Sequence, residues 1–370
     1  MSVEEAIRSI LDARVSAGKE IGVQFVVMKD GEFLADAYAG FTDESRTKTV
    51  SRDTLFPVFS TGKAICATAA LRLVERGELE LERPVRQIWP EFACNGKEEV
   101  TVRQIFMHRS GVCKRPFYQN HREITDWTVM RQRVEKAFAE FPPGSRTQYQ
   151  SVNYTWLLGE LMLRSDSRKR TLQQIIVQEA IQPYSTGMIY FGVDDEAAKR
   201  TVTLTRNPDF PKVPDPAPCW DYELEAIMNN DTVRRACLPG FNCIASARGL
   251  ALHFSALLAG RVLGKDILDE ARKDISQPDD LATYGLGYAI QKNGDIFGHG
   301  GYGGAQVLAN VRSGVVAAYT CNLMQSDGDM RNYLQNLMDN DQPNGNAQQW
   351  DHKTGQFLTT KKHEKARKFL

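Results

Sequence analysis

Segments with strand-forming sequence lie at both ends of this chain, and helical segments fill the stretch between them. Near the N-terminus, IGVQFVVMKDGEFLADAYAG holds two apolar, β-prone runs around Lys29, Asp30 and Gly31, which predicts a β-hairpin. Near the C-terminus, TYGLGYAI, FGHGGYGGAQVLANV and VVAAYTCN are predicted as strands, with turns at 292–295 and 312–314. We therefore expect an α/β (α+β) fold, in which N- and C-terminal strands form one antiparallel sheet flanked by helices.

The middle of the chain is expected to form a mostly helical subdomain inserted between the strands. Helical patterns are predicted at 1–18, 60–77, 100–111, 124–140, 153–166, 246–260 and 326–340. The first of these opens on Ser2 and Glu5, the pattern of a capping box. The predicted units are a sheet subdomain of residues 1–62 and 240–345, a helical subdomain of 63–239, and a polar basic tail of 346–370. In that tail we expect no strand.

Composition narrows the classes of function. A chain of 370 residues can bury a large core without disulfides or metals. It has 46 basic and 46 acidic side chains, so no excess charge favours nucleic acid or an anionic membrane. The seven cysteines include no CxxC pair, which argues against a disulfide framework or a zinc ribbon. Because no His, Cys and Asp cluster has ligand spacing, we expect no metal and no organic cofactor.

The N-terminal sequence bears on location. MSVEEAIRSILDARVSAG alternates charged and apolar residues and lacks the apolar stretch of a signal peptide. No run in the chain approaches membrane-spanning length. The expected location is therefore the cytoplasm, without membrane association.

The stretch FSTGKA is the first that could carry chemistry. If a helix begins near Ser60, then Ser60 and Lys63 lie one turn apart on the same face. A serine needs an adjacent base to become a nucleophile, and a lysine can be that base once burial lowers its pKa. The alternative is that Ser60 merely caps a helix and Lys63 is a solvated surface charge. A phosphate-binding P-loop is excluded, because Ala64 replaces the required Ser or Thr.

The second stretch is PPGSRTQYQS, in which a Pro-Gly turn leads to a tyrosine. Tyr149 beside a lysine could accept and return protons, and Ser151 could hydrogen-bond to that lysine or to a substrate amide. The alternative for Tyr149 is a half-buried packing residue.

The third stretch, GHGGYGG, matches the dinucleotide-binding pattern GxGxxG. That reading is rejected because the strand sequence AQVLANV follows where a helix is required. Small residues at 298–304 favour an edge strand that pairs with a substrate and offers a backbone N–H to an oxyanion. A glycine-rich turn without function is the alternative.

Together the three stretches resemble the serine β-lactamase and penicillin-binding superfamily. The order of SxxK, Tyr-x-Ser and His-Gly-Gly is similar to its class C branch, as are GELELERPVRQIWPEF, VRQIFMHRSGV and SARGLA. More narrowly the chain resembles the esterase-type members, the family VIII carboxylesterases and related transesterases. The resemblance covers about residues 10 to 340 and implies a β-lactamase-like fold.

The resemblance implies a role for each matching residue. Ser60 matches the acylated nucleophile, Lys63 the lysine that helps to deprotonate it, and Tyr149 the tyrosine that relays protons. The oxyanion hole would be the backbone N–H groups of Ser60 and Tyr302. The implied substrate-binding residues are Ser151, His299, Gly300 and Gly301.

Two departures from the β-lactamase pattern indicate the substrate class. Ser151 replaces the asparagine of Tyr-x-Asn, and His299-Gly300-Gly301 replaces Lys-Thr-Gly. A histidine is mostly neutral at pH 7, so it supplies no permanent cation for a β-lactam carboxylate. A literal Lys-Thr-Gly occurs at 353–355, but it follows the last predicted helix and is interpreted as a coincidence.

The leading hypothesis is a serine hydrolase or acyltransferase that forms an acyl-enzyme with a small ester, thioester or amide. Its partners would be this acyl donor and an acceptor that is water, an alcohol or an amine. The alternatives are a β-lactamase or D-amino-acid peptidase and, from another class, a catalytically silent binding or scaffold protein. His108 is expected to brace a loop. The segments expected either to line the acyl pocket or to pack on the surface are Phe117, Tyr118, Trp127 and the Pro-rich loop 207–220.

Overall fold

The computed structural model describes residues 2–114, 120–210, 224–277, 280, 283–324 and 328–339, together with the backbone of 350–351 and 356–357. The strands are β1 (Gly22–Lys29), β2 (Glu32–Gly40), β3 (Phe56–Phe59), β4 (Ile189–Tyr190), β5 (Thr205–Arg206), β6 (Cys243–Ala245), β7 (Ala289–Gln291), β8 (Ile296–Gly300), β9 (Gln306–Asn310), β10 (Val315–Cys321), β11 (Leu323–Met324), β12 (Trp350–Asp351) and β13 (Gln356–Phe357). The α-helices are α1 (Val3–Ser16), α2 (Gly62–Glu75), α3 (Val102–Phe106), α4 (His121–Thr125), α5 (Trp127–Lys136), α6 (Tyr154–Ser165), α7 (Leu172–Ile176), α8 (Asp195–Arg200), α9 (Leu224–Asn229), α10 (Asp231–Arg235), α11 (Ala247–Leu258), α12 (Lys265–Ala271) and α13 (Asp329–Asp339). Single helical turns lie at Val85–Gln87, Pro90–Phe92, Val177–Ile181 and Lys292–Gly294.

The main sheet joins the two ends of the chain. Its strand order is β2-β1-β10-β9-β8-β7, and each neighbouring pair is antiparallel. The β1–β2 hairpin turns at Asp30 and Gly31, which have positive φ angles of 48° and 91°. Such angles suit the two-residue turns that match strand twist. Strand β1 then pairs with β10 over Val23–Lys29, so the predicted fold class is confirmed.

The two faces of this sheet are covered by different helices. Alternate residues of β1, including Phe25, pack in a cluster with α1 and α13. The intervening residues, including Val26, join the larger core that holds α2 and α11. Because side chains of a strand alternate between faces, one apolar strand can supply both layers. The buried strand β1 therefore lies between two packed helical layers.

Several predicted helices are confirmed with altered bounds. The capping box at Ser2 and Glu5 is present, and the Ser2 hydroxyl accepts the Glu5 N–H at 3.1 Å. The helix predicted over 124–140 is two helices, because the Asp126 side chain accepts the Val129 N–H and begins α5 anew. The helix predicted to run to Gly111 ends at Phe106, since His108 has a φ of 58°.

Two expectations about strands need correction. Strand β8 lies inside the sheet, so the edge strand predicted around 298–304 is wrong in that form. However, β7 pairs with Ile296–Gly298 of β8, whereas β9 pairs with Ile296–Gly300, so the last two residues of β8 run past β7. The tail also contains strands, because Trp350–Asp351 pairs antiparallel with Gln356–Phe357. The Lys-Thr-Gly triplet at 353–355 lies outside the described residues.

The remaining expectations concern boundaries and bound groups. The division into a sheet subdomain, a helical subdomain and a tail stays a prediction. Six cysteines of the described chain are free thiols.

Within the described residues, no helix is long and apolar enough to cross a membrane. The same residues contain no cluster of three or more His, Cys, Asp or Glu side chains that could hold a metal ion. Of the loop at 207–220, the structure describes residues up to Phe210.

Candidate active site

Ser60 lies between the end of β3 and the start of α2. Phe59 before it has a positive φ of 49°, and α2 begins at Gly62 with Thr61 as its N-cap residue. Ser60 therefore directly precedes the N-cap residue and is not itself the cap, so the alternative interpretation of Ser60 as the cap is wrong. The Lys63 amine still reaches back to Ser60, and its Nζ lies 3.0 Å from the Ser60 Oγ. The structure thus brings together the first two predicted site residues.

Lys63 is fully buried, so the alternative of a solvated surface charge is wrong. Its Nζ also donates to the carbonyl oxygen of Gly240. Gly240 is held in turn by Thr155 of α6, whose Oγ1 accepts the Gly240 N–H at 2.9 Å. A Cβ at position 240 would lie 2.3 Å from that oxygen, so a side chain there would displace the carbonyl that binds Lys63.

Tyr149 lies beside the lysine. The Lys63 Nζ lies 4.9 Å from the centroid of the Tyr149 ring. Burial raises the pKa of Tyr149 well above its usual value, and a hydrogen bond with the Ser60 side chain opposes that rise. The phenol is therefore protonated at pH 7, next to both the serine and the lysine.

A cage of rings fixes the orientation of Tyr149. The Tyr284 ring stacks on it with centroids 5.6 Å apart and an interplanar angle of 16°. The His108 ring meets it edge-on at 4.9 Å. His108 also holds the neighbouring backbone, since its Nδ1 accepts the Gln150 N–H at 3.2 Å and its carbonyl accepts the Gln148 N–H at 3.0 Å. His108 therefore braces the segment that carries Tyr149, in agreement with the expected bracing role.

A buried ion pair anchors the start of the same segment. The Arg109 Nη1 lies 2.9 Å from Asp280 Oδ2, and both side chains are nearly inaccessible. Asp280 also accepts the Thr147 N–H at 2.6 Å, and the Thr147 hydroxyl accepts from Arg109 at 3.1 Å. The carboxylate pKa of Asp280 is lowered overall: burial, the largest influence, raises it, and backbone N–H donors together with Arg109 outweigh that effect. This network fixes the chain two residues before Tyr149.

Of the residues after Tyr149, two are held by contacts inside the fold and one is a candidate for contact with substrate. The Gln150 side chain points inward and donates to the Ser110 hydroxyl. Asn153 is buried and donates to the carbonyls of Val112 and Lys114 at 3.0 and 2.8 Å. Ser151 is half-buried, and its N–H donates to the Tyr149 carbonyl at 3.1 Å. A contact of the Ser151 hydroxyl with substrate stays a prediction.

His299 is the first of the two residues of β8 that run past β7. It is 3% exposed, and its Nδ1 lies 2.7 Å from the Gly300 carbonyl oxygen. Within the described residues its Nε2 has no hydrogen-bond partner. Burial and, to a smaller extent, the charge that Lys63 carries when protonated together lower the pKa of His299 to about 3. The imidazole is therefore neutral at pH 7, as expected from the sequence.

The turn after His299 packs directly on the strand that leads to Ser60. A Cβ on Gly301 would lie 2.2 Å from the Val58 carbonyl oxygen, so position 301 admits only glycine. Gly300 has open space by the same measure, since the nearest atom would be 4.0 Å away. The next residue, Tyr302, places its ring 5.9 Å from Phe59 and 5.0 Å edge-on from Phe210. The glycine turn thus lies beside the serine because no side chain separates the two backbones.

Some residues of the site gave no local signal in the sequence. Gly240 and Tyr284 are far along the chain from Ser60, and only the fold brings them to the site.

Trp127, which was expected either to line the acyl pocket or to pack on the surface, packs between helices. Its Nε1 donates to Glu160 at 2.9 Å and its ring covers Gly159. The packing alternative therefore describes Trp127. Phe117, Tyr118 and most of the loop at 207–220 lie outside the described residues.

Comparison with known proteins matches almost the whole chain. A family model described as beta-lactamase matches residues 7–339. The esterase/beta-lactamase LipL of Mycobacterium tuberculosis is 25% identical over 350 residues, which cover 82% of this chain and 78% of that protein. Esterase EstB of Burkholderia gladioli is 34% identical over 115 residues, which cover 30% and 29% of the two chains. The crystal structure of a family VIII carboxylesterase superposes with a TM-score of 0.80 at 25% identity, covering 92% of this chain and 96% of the other.

Proposed function

The chain belongs to the beta-lactamase family, and within it we propose a serine hydrolase or acyltransferase of the esterase or transesterase type. It acts on small molecules through an acyl-enzyme on Ser60. The observation that carries the proposal is the contact of Ser60 Oγ with two proton-transfer groups, the Lys63 amine at 3.0 Å and the Tyr149 hydroxyl. A nucleophile within hydrogen-bond reach of its base is the requirement for covalent catalysis.

In the acylation step, the Ser60 Oγ attacks the acyl carbonyl carbon and its proton passes to the Lys63 amine. This role requires the uncharged amine, and the complete burial of Lys63 favours that form. The carbonyl electrons move onto oxygen, and the backbone N–H groups of Ser60 and Tyr302 stabilise this oxyanion. Collapse re-forms the carbonyl and breaks the bond to the leaving group, which takes the proton of Tyr149. Lys63 then returns a proton to the phenolate.

Deacylation runs the same proton path with a different nucleophile. Water, an alcohol or an amine attacks the acyl carbon and gives its proton to Tyr149, while Tyr149 passes its own proton to the uncharged Lys63 amine. The second tetrahedral intermediate collapses and the Ser60 Oγ leaves with that proton, which restores the free enzyme. A phenol that is protonated at rest, as the raised pKa of Tyr149 requires, suits this relay because it donates to the leaving group first.

Two features favour esters and thioesters over β-lactams. A neutral His299 offers no permanent cation to a β-lactam carboxylate, and its pKa of about 3 keeps it neutral throughout the physiological range. Ser151 lacks the amide that an asparagine would present to an acylamino side chain. The name of EstB, an esterase, supports the same choice, whereas the name of LipL includes both esterase and beta-lactamase.

The test uses Ser60→Ala with a nitrophenyl ester and a fluorophosphonate probe. We expect the variant to lose ester turnover and covalent labelling, while the wild type takes one label on Ser60. Ser185→Ala is the matched control, because Ser185 is a buried serine whose Oγ donates to the Ile181 carbonyl away from the site. Unchanged ester turnover in Ser60→Ala would contradict the assignment of Ser60 as the nucleophile.

Two further outcomes separate the alternatives. Hydrolysis of nitrocefin faster than of nitrophenyl esters would favour the β-lactamase alternative. A correctly folded wild type that takes no fluorophosphonate label would favour the silent binding protein. Intact mass measurement after incubation with a panel of esters and thioesters then identifies the preferred acyl group.

A further inference from the structure

We propose that Arg331 is a positioning residue that orients and polarises the peptide between Gly301 and Tyr302, whose N–H is an oxyanion donor. The inference rests on the proposed function, because it concerns how the oxyanion hole of that reaction is built. Arg331 lies on α13, outside the three stretches that the sequence singled out.

The observation is a clamp on both ends of the glycine turn. The Arg331 Nη2 donates to the Gly301 carbonyl, and its Nε donates to the Gly304 carbonyl at 3.0 Å. The turn's own bond, from the Gly304 N–H to the Gly301 carbonyl, is long at 3.4 Å. The Gly301 N–H is held separately by the Ala305 carbonyl at 2.7 Å. The guanidinium therefore supplies the shorter contact to the Gly301 oxygen.

The geometry of a peptide unit connects this contact to the oxyanion hole. The carbonyl of Gly301 and the N–H of Tyr302 belong to one planar trans unit, so they point in opposite directions. A donor that fixes the oxygen on the α13 side consequently directs the N–H away from α13. A charged donor on the carbonyl also draws electron density toward the oxygen and makes the N–H a stronger donor.

Arg331 lies on a firmly packed helix, and burial of its charge is energetically unfavourable. Its helix packs on the sheet through Tyr333 and Leu334, and the helix start is held by Arg14, whose Nη1 lies 3.3 Å from Asp329 Oδ2. Desolvation lowers the pKa of Arg331, so its charged form is less favourable there than in water. A cation in such a place, bonded to two backbone carbonyls of the turn, has a geometric role that an apolar side chain could not fill.

The test separates positioning from support of the fold. Arg331→Met and Arg331→Lys are compared with wild type by kcat and KM on a nitrophenyl ester, per active site counted from end-point fluorophosphonate labelling. We expect kcat of Arg331→Met to fall roughly 10- to 100-fold, less than the loss of a whole oxyanion donor, with KM within about twofold. Binding of a boronic acid, which mimics the tetrahedral intermediate, should weaken by a similar factor. Arg331→Lys keeps the charge and one contact, so it should recover part of kcat.

Arg234→Met is the matched control. Arg234 is also partly buried and also donates to backbone carbonyls, those of Met228 at 2.7 Å and Val202 at 2.8 Å. Its loss should lower Tm comparably while kcat per labelled site stays within about twofold. A fall in Tm of Arg331→Met with kcat per labelled site unchanged would overturn the inference, as would a rise in KM alone. If Arg331→Met does not fold, the same criteria apply to Arg331→Lys. A wild type that takes no label on Ser60 removes the proposed function first, and this inference with it.

Discussion

Two fully buried basic side chains, on opposite faces of the main sheet, are held in different ways. Arg14 of α1 lies 3.3 Å from the carboxylates of both Glu20 and Asp329, and Tyr319 donates to the same Glu20 at 2.6 Å. Lys63 of α2 donates to two neutral oxygens, the Ser60 hydroxyl and the Gly240 carbonyl. Arg14 therefore sits in a network of opposite charges, and Lys63 sits among groups that can exchange a proton.

The difference shows how burial can serve either stability or chemistry. A buried cation beside carboxylates is neutralised locally, and breaking such a pair leaves an uncompensated charge. The charge of Lys63 instead lowers the pKa values of two neighbours, His108 and His299, after the larger effect of their burial. The arginine network is thus expected to stabilise the fold, while the lysine is expected to cost stability and to support acylation.

Lys63→Met should have the largest effect, and it should be on activity. We expect the acylation rate to fall by about 10³-fold or more, because residues that act as a unit fail together. The free energy of unfolding should stay within about 1 kcal/mol of wild type or rise, since a buried amine is replaced by an apolar chain of similar length. Stopped-flow burst kinetics with a nitrophenyl ester and urea unfolding measure the two quantities. A large loss of stability with a normal burst would place Lys63 in the same class as Arg14.

Arg14→Met should give the reverse result. We expect unfolding free energy to drop by about 3–5 kcal/mol, because Glu20 and Asp329 are left without the guanidinium. The kcat per labelled site should change little while the protein is folded. Arg8→Met on the same helix is the control, since its pair with Glu4 is exposed and worth at most about 1 kcal/mol. Equal losses in the two variants would contradict the assigned role of the buried network.

The buried histidines should make stability depend on pH. Burial lowers the pKa of His253 to about 4 and of His299 to about 3, so the folded chain binds fewer protons than the unfolded chain below pH 6.5. The contribution of each histidine to the free energy of unfolding has its full value above about pH 6.5. As the pH is lowered from there toward the folded-state pKa, this contribution falls by up to about 1.4 kcal/mol per pH unit. Urea unfolding at pH 7 and pH 5 should show about 2 kcal/mol less stability per histidine at the lower pH.

The same histidines test how far the field of Lys63 extends. Lys63 contributes to the shift of His299 but not to that of His253, which burial lowers and a hydrogen bond to Ala180 opposes. Lys63→Met should therefore raise the pKa of His299 and leave that of His253 unchanged in a histidine NMR titration. Equal changes in the pKa values of His299 and His253 would mean that Lys63→Met acted by changing the packing and not by removing the charge of Lys63.

The sequence predicted the features that depend on local pattern. Alternation and turn residues located the β1–β2 hairpin, and the three-residue spacing predicted the contact of Ser60 with Lys63. The strand pattern at 296–300 did not reveal neighbours in the sheet, so β8 was mistaken for an edge strand. Strand order depends on pairing between distant segments, which periodicity does not encode.

The site residues that escaped prediction are all long-range contacts. Gly240 reaches Lys63 across 177 positions and Arg331 reaches Gly301 across 30, in each case through a backbone carbonyl. Every residue has a backbone carbonyl, so the sequence does not indicate which carbonyl binds a given side chain. Tyr284 was visible in TYGLGYAI, but only the folded chain shows that its ring stacks on Tyr149.

The smallest effect is expected from removing residues 346–370. We propose His299-Gly300-Gly301 as the third element of the site, because Gly301 packs against the Val58 carbonyl, close in the chain to Ser60. The literal Lys-Thr-Gly at 353–355 lies between β12 and β13, which pair with each other, so strands in the tail do not by themselves give the triplet a place in the main sheet. We expect the truncated chain to acylate with fluorophosphonate at a rate within about twofold of wild type, well inside the effects of losing a catalytic group. Lys353→Ala in the full chain is the companion variant, since it removes the triplet's cation and keeps the tail. A folded truncation that loses labelling, together with the same loss in Lys353→Ala, would transfer the third element of the site from β8 to the tail.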